Sequence, residues 1–420
     1  MKNEKTATLT LPTDREGSEA RRGGTRPASR LDRWLAEKVL QMAGNPPLRL
    51  TLWDGTALDG GGSRIAAVHV RDRAAFYQLL RNPALHFGDL YSVGRIEVEG
   101  DLVEFLATVY TGMDRQDGLL ARLHKLVTPR PRANSLKGSR ENIHHHYDIG
   151  NAFYELWLDR EYQQYTCAYF PDAAMTLEQA QIAKLEHVCR KLELKPGDRV
   201  AEAGCGWGGL ARYMARHYGV HVRAYNISHE QIVYARERAR AEGLADRIEY
   251  VEDDYRNITG EYDKFVSVGM LEHVGPDNYA ELGGVVNRVL KPNGRGLIHS
   301  IGRNRPELMN AWIEKRIFPG AYPPTLREMM AIFEPYSLSI LDVENLRLHY
   351  AQTLRHWLQR YEANIAAVER MFDRNFVRAW RLYLAGSIAA FLTGSLQLFQ
   401  VVFARPRDND IPRSRARLYA

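Results

Sequence analysis

From Asp198 onward, short apolar runs alternate with longer segments whose apolar residues recur every three or four positions. The short runs predict strands at 199–204, 220–226, 247–252, 264–270, 294–301, 338–346 and 396–404. The longer segments predict helices at 208–218, 229–243, 276–291 and within 305–333. This alternation implies an α/β domain built on a doubly wound, mostly parallel sheet of seven strands. Upstream, Leu31 opens a short amphipathic helix. Strand-like pieces at 48–52, 65–70 and 94–100 follow, interleaved with helical runs at 73–81 and 102–110. That mixture predicts a small N-terminal α+β domain over 31–127. It contains no acid–base cluster, so binding or positioning is its expected role.

The remaining segments lack apolar periodicity. Residues 1–30 are expected to be a disordered tail, 128–140 an exposed Pro/Arg-rich basic linker and 406–420 a polar tail, which leaves 141–405 as the α/β domain. Tyr383 to Ala404 is nearly long enough to span a bilayer, but Gly386, Ser387, Thr393, Gly394, Ser395, Gln397 and Gln400 interrupt it. It reads as a buried helix followed by a core strand.

Composition narrows the class. The 420 residues suffice for two domains, with 45% hydrophobic and 26% charged positions. A net charge of +6 suits an anionic membrane surface. Outside the linker no basic patch is interleaved with aromatics, which argues against nucleic acid. Cys167, Cys189 and Cys205 form no C-x-x-C pair, so a disulfide framework and a zinc site are disfavoured and a reducing cytosol fits. An apolar signal core is absent from the N-terminal stretch, which adds to a cytoplasmic expectation. His144-His145-His146 lacks ligand spacing and is read as solvated or packed rather than metal-binding.

The chemistry concentrates at Arg199–Gly209, where a strand breaks into glycines and continues as a helix. Glycines let a ligand approach the backbone, and the helix start offers N–H groups. Gly204, Gly206 and Gly209 satisfy G-x-G-x-x-G, but the next strand ends on Asn226 where a dinucleotide site wants a carboxylate. Glu202 instead stands before the turn, giving the acid-x-Gly-x-Gly pattern of an S-adenosylmethionine site. Asn226 with Gln231 suits ribose hydroxyls, and Asp254 suits the adenine amino group; loop Asn and Asp are equally good turn formers. Glu272-His273 follows the fourth strand. His299, at the end of the fifth, reads by position alone as a core histidine.

Four motifs in order complete the picture: Tyr165-Thr166-Cys167-Ala168-Tyr169-Phe170, Gly204-Cys205-Gly206-Trp207-Gly208-Gly209, Met270-Leu271-Glu272-His273-Val274-Gly275 and His299-Ser300-Ile301-Gly302. Together with His146–Asn151 and Gln179-Ala180-Gln181, this set resembles the cyclopropane-fatty-acyl-phospholipid synthases and the related mycolic acid cyclopropane synthases, from about Glu141 to Arg405. The resemblance implies a Rossmann-like class I S-adenosylmethionine-dependent methyltransferase fold. It also implies methylene transfer to the cis double bond of an unsaturated phospholipid acyl chain at a membrane surface, through a carbocation deprotonated by bound bicarbonate. By motif, Cys167, Glu272, His299, the backbone of Ile301 and Tyr350 would hold the bicarbonate. Tyr165, Glu202, Gly204, Gly206, Asn226, Gln231, Asp254 and Tyr255 would contact the cofactor. Phe318-Pro319-Gly320 and Tyr322-Pro323-Pro324 fall where the family covers its acyl pocket. Asn226 stands where the family commonly has threonine. A peripheral enzyme at the inner face of the membrane, with a homodimer as candidate assembly, is the implied setting. The rival readings are a methyl-branching enzyme of the same fold, a small-molecule or nucleic-acid methyltransferase, and a silent lipid-binding protein.

Overall fold

The computed structural model describes residues 26–114 and 149–419. The linker, His144–His146 and most of the N-terminal tail lie outside the described residues. The last residues of the expected tail are ordered: the Ala28 N–H donates to Asp54 Oδ2 at 2.7 Å, and Ser29 caps the helix Arg30–Met42 in a reciprocal box with Asp32.

The N-terminal sheet contains β1 (Leu48–Thr51), β2 (Ala57–Asp59), β3 (Ala66–Val70) and β4 (Ile96–Gly100), ordered β2-β1-β3-β4. β2 escapes sequence reading because its three residues bury no strong apolar side. The helix Pro83–Ser92 also goes unpredicted, although Asn82 caps it and Pro83 occupies the first turn.

The second sheet contains β5 (Arg199–Ala203), β6 (His221–Asn226), β7 (Ile248–Glu252), β8 (Tyr262–Val268), β9 (Leu290–Gly302), β10 (Ser339–Asn345) and β11 (Gln397–Ala404). Their order is β10-β11-β9-β8-β5-β6-β7, and only β11 runs against its neighbours. All seven predicted strands are present. One face packs Val200, Val222 and Leu297 against Leu185, Val188, Met214 and Ile232 of the helices Leu177–Leu192, Gly209–Tyr218 and His229–Ala241. The opposite face packs Ala201, Phe265 and Ile298 against Val286 and Phe333 of Tyr279–Val289 and Leu326–Phe333. Helices on both faces follow from strands that are apolar on both sides.

A further layer was expected only in part, through the buried helix at the start of Tyr383–Ala404. The helices Arg347–Ala363 and Arg374–Thr393 share one apolar core with the N-terminal helices, through Trp157, Trp357, Trp380, Phe105 and Leu106. Arg378 lies 4.3 Å from the Tyr91 ring, donates to the Tyr91 carbonyl at 2.6 Å and pairs with Glu97. Arg316 grips Asp89 with two bonds of 2.9 Å. The N-terminal sheet and its helices are therefore packed on the seven-stranded part. Tyr383–Ala404 is helix end and core strand as expected, and among the described residues no helix is long and apolar enough to cross a membrane. The polar tail needs correction. Buried Arg295 donates to the Asp410 carbonyl at 2.7 Å, Asp408 and Leu418 are buried, and Arg417 pairs with Glu193, so residues 406–419 strap the sheet.

Candidate active site

The turn after β5 has positive φ at Gly204, Gly206 and Gly208, at +82°, +53° and +75°. Its glycines do two jobs. A Cβ at Gly208 would stand 2.4 Å from the Tyr250 hydroxyl, and one at Gly209 would stand 2.2 Å from the Tyr162 carbonyl, so these two serve close packing. A Cβ at Gly206 would meet nothing within 4 Å, because this glycine faces a cavity.

All eight residues expected to contact the cofactor line that cavity. Asn226 Nδ2 donates to Gln231 Oε1 at 2.8 Å, and Asp254 accepts from the Arg256 N–H at 3.0 Å and pairs with its guanidinium. The Tyr165 and Tyr383 hydroxyls are 2.9 Å apart. Glu202 is buried, and burial pushes its carboxyl up to about 8, partly offset by Lys184. Its Oε2 has no partner among the described residues. An open glycine backbone facing a buried, unmatched carboxylate oxygen is the cradle a cationic nucleoside ligand needs.

The expected base-holding residues gather behind this wall. Glu272, after β8, is buried, which pushes it up to about 7 against the hydrogen bonds that lower it. Its Oε1 accepts the Ile301 N–H at 2.6 Å, while Oε2 lacks a partner among the described residues. The Ile301 N–H is therefore already used, and the expectation that it is a spare donor for an anion is corrected. The Nδ1 of the His299 ring lies 3.0 Å from Gln400 Nε2. His299 Nε2 is buried without a partner among the described residues, and burial, with Lys184 and Lys191 behind it, pushes the ring down to about 3. Cys167 is wholly buried, which drives its thiol far up, and Sγ approaches the Leu346 carbonyl at 3.9 Å. That carbonyl also accepts the Tyr350 N–H at 3.2 Å. Leu346 in turn donates to the carbonyl of Leu398, the cross-strand partner of Ile301. Backbone pairing thus ties the five residues into one neighbourhood.

Residues 134–401 match the family model described as Mycolic acid cyclopropane synthetase. The chain belongs to that family. A domain of unknown function matches residues 35–116. The chain is 37% identical over 391 residues to a Pseudomonas putida protein described as "Probable fatty acid methyltransferase", covering 89% of this chain and 96% of that one. It is also 37% identical to the cyclopropane-fatty-acyl-phospholipid synthase of Escherichia coli K12, covering 83% and 91%. The solved mycolic acid cyclopropane synthase CmaA1, in complex with SAH and CTAB, superimposes with a TM-score of 0.60 at 27% identity, covering 63% of this chain and 97% of that one.

This member of the mycolic acid cyclopropane synthetase family is thus an S-adenosylmethionine-dependent methyltransferase of the class I fold. Several of its site residues escaped sequence reading. Gln400 was legible only as a polar interruption of an apolar strand. Lys184, Lys191 and Glu344 carried no signal, because charged residues on helices and edge strands are ordinarily solvated. Lys184 is buried and donates to Thr166 Oγ1 at 3.0 Å and to Gln164.

Proposed function

We propose that the enzyme transfers a methylene group to the cis double bond of an unsaturated phospholipid acyl chain and closes a cyclopropane ring. The E. coli relative's name supports the substrate class. The carrying observation is that two buried polar atoms, Glu272 Oε2 after β8 and His299 Nε2 near the end of β9, are unmatched among the described residues on strands that continue the sheet from β5. One accepts and the other can donate, so the pair fits a small protonated oxyanion such as bicarbonate. When bound, S-adenosylmethionine supplies an electrophilic methyl group and bicarbonate supplies a base.

The chain's own residues would do the rest. Glu202 and the glycine turn hold the cofactor, and Glu272 takes up the proton of the anion. A carbocation on the acyl chain would be quenched by water, so its surroundings should be dry. Tyr165 belongs to an aromatic cluster with Trp157, Trp357 and Tyr383, whose faces can also stabilise positive charge. Buried Cys167 stays a thiol, which keeps a competing nucleophile quiet.

We also infer peripheral attachment at the inner face of the membrane. Leu31 and Trp34, 55% and 52% exposed, lie beside Arg30 and Arg33 on the first helix. Double substitution Leu31→Glu/Trp34→Glu should weaken binding to anionic vesicles about tenfold, measured by sedimentation, as apolar and electrostatic contacts are lost. Unchanged binding would move the attachment elsewhere.

Lipid mass spectrometry of a host with and without the enzyme tests the reaction. A gain of about 14 mass units on unsaturated chains is expected from one added methylene. Fragmentation must then separate a ring from a methyl-branched alkene of the same mass. A branched alkene would overturn the cyclopropane reading.

A further inference from the structure

The sheet register pairs Glu344 of β10 with Gln400 of β11, and Gln400 with His299 of β9. Side chains at one register position share a face, so three polar groups stand in a row across the sheet. The helix Leu177–Leu192 covers that face and adds two more. Lys191 Nζ, essentially inaccessible, donates to Gln400 Oε1 at 2.6 Å and to Glu344 Oε2 at 2.5 Å. His187 Nε2 lies 2.7 Å from the same Glu344 oxygen. At the far end, Gln400 Nε2 reaches His299 Nδ1 at 3.0 Å.

The lysine sets the direction of the row. An ammonium group only donates, so the Gln400 oxygen must face Lys191 and its NH2 must face His299. His299 Nδ1 must then accept, which leaves the ring hydrogen on Nε2. Nε2 is the buried atom without a partner among the described residues.

We propose that Lys191 and Gln400 are positioning residues that lock His299 as the neutral Nε2–H tautomer, so that His299 offers an oxyanion a hydrogen bond and cannot itself take the proton from the added methyl group. The proposal rests on the reading of His299 as an anion ligand. It assigns His299 a donor's role and leaves the base to the oxyanion.

The test uses full-length protein labelled with 15N-histidine, with the His299 signals identified by their loss in His299→Gln. The wild type should show a protonated Nε2 and a bare Nδ1. Gln400→Glu keeps the Lys191 contact but turns the other end into an acceptor, so the hydrogen should move to Nδ1. With it kcat should fall about 100-fold, while KM for S-adenosylmethionine stays within about twofold. Lys191→Met frees the amide to rotate and should give mixed tautomers with about a tenfold loss, an independent readout if Gln400→Glu does not fold. A wild-type ring protonated at Nδ1, or on both nitrogens, overturns the proposal. So does a reversed tautomer in Gln400→Glu with kcat within about twofold of wild type. If the expected tautomers appear but the product is not a cyclopropane, the positioning role stands and the functional reading falls.

Discussion

The cavity around Gly206 and the cluster around Glu272 follow neighbouring strands, β5 and β8, yet they handle polarity in opposite ways. In the cavity some polar groups are already matched: Asn226 bonds Gln231, and Asp254 bonds the neighbouring Arg256. Such groups can exchange partners each time a ligand enters or leaves. Glu202 Oε2, Gln163 Oε1 and the Tyr255 hydroxyl are the buried lining atoms left without a partner among the described residues, and of these only Glu202 can carry a negative charge toward a cation. In the cluster, Glu272 and His299 each spend one atom on a fixed scaffold partner and keep the other unmatched. A buried unmatched polar atom costs roughly 1–3 kcal/mol, a cost that a permanently useful occupant would offset. On the function proposed above, the contrast separates a site for turnover of a ligand from one that grips a small group in place.

The strongest test of that contrast is Glu272→Gln. The amide can keep the Ile301 bond but cannot take a proton, so kcat should drop about a thousandfold with cofactor affinity unchanged. In the wild type, with Glu272 near 7, activity should fall as pH drops through that value and the carboxylate protonates. Removing dissolved bicarbonate should slow the wild type, and adding it back should restore the rate. A fully active Glu272→Gln enzyme that ignores bicarbonate would leave the cluster without a base.

Gly206→Val attacks the cavity instead. The added Cβ clashes with no protein atom, so the fold should survive with strain of about 1–3 kcal/mol from the positive φ. S-adenosylmethionine affinity by calorimetry should fall at least about 100-fold, because the side chain fills the ligand's place. Equal affinity would remove the cofactor from this turn. Asn226→Ala should cost about tenfold in affinity and leave the product distribution unchanged, as befits one exchangeable hydrogen bond. A loss of kcat alone would blur the division between the two halves.

The smallest effect concerns stability. Glu202 is raised from 4.5 to about 8, so its contribution is complete below about pH 4.5 and is lost as pH rises through 8. Between pH 6 and pH 8 the wild type should lose on the order of 2 kcal/mol relative to Glu202→Gln, read from urea unfolding of the ligand-free protein. Lys184, pushed down to about 8 by burial, adds the opposite slope only above that pH. Parallel curves for the two proteins would mean that Glu202 is already ionised when folded.

Legibility in the sequence divides along the same line. The cavity is made by consecutive strand ends, each announced by its own apolar run, so Glu202, Asn226 and Asp254 could be placed before any coordinates. The cluster joins Cys167, Glu272, His299 and Tyr350, and only the family motifs indicated that they meet. Its support was harder still. Gln400 reaches His299 because β11 runs antiparallel beside β9, and no local pattern announces a strand's direction or neighbours. The packing of the N-terminal sheet on Arg374–Thr393 depends on contacts nearly 300 residues apart, which periodicity cannot reveal.

The late position of β11 has a consequence for how the enzyme is made. It is the last of the seven strands to be synthesised, yet it lies inside the sheet, between β9 and β10. While Gln397–Ala404 remains in the ribosomal tunnel, β10 has no strand to pair with and His299 lacks Gln400. A nascent chain can therefore form the glycine turn well before it can complete the surroundings of His299. A chain that stops before Gln397 would keep β5 to β8 and the glycine turn but would lack the strand that joins β9 to β10 and brings Gln400 to His299.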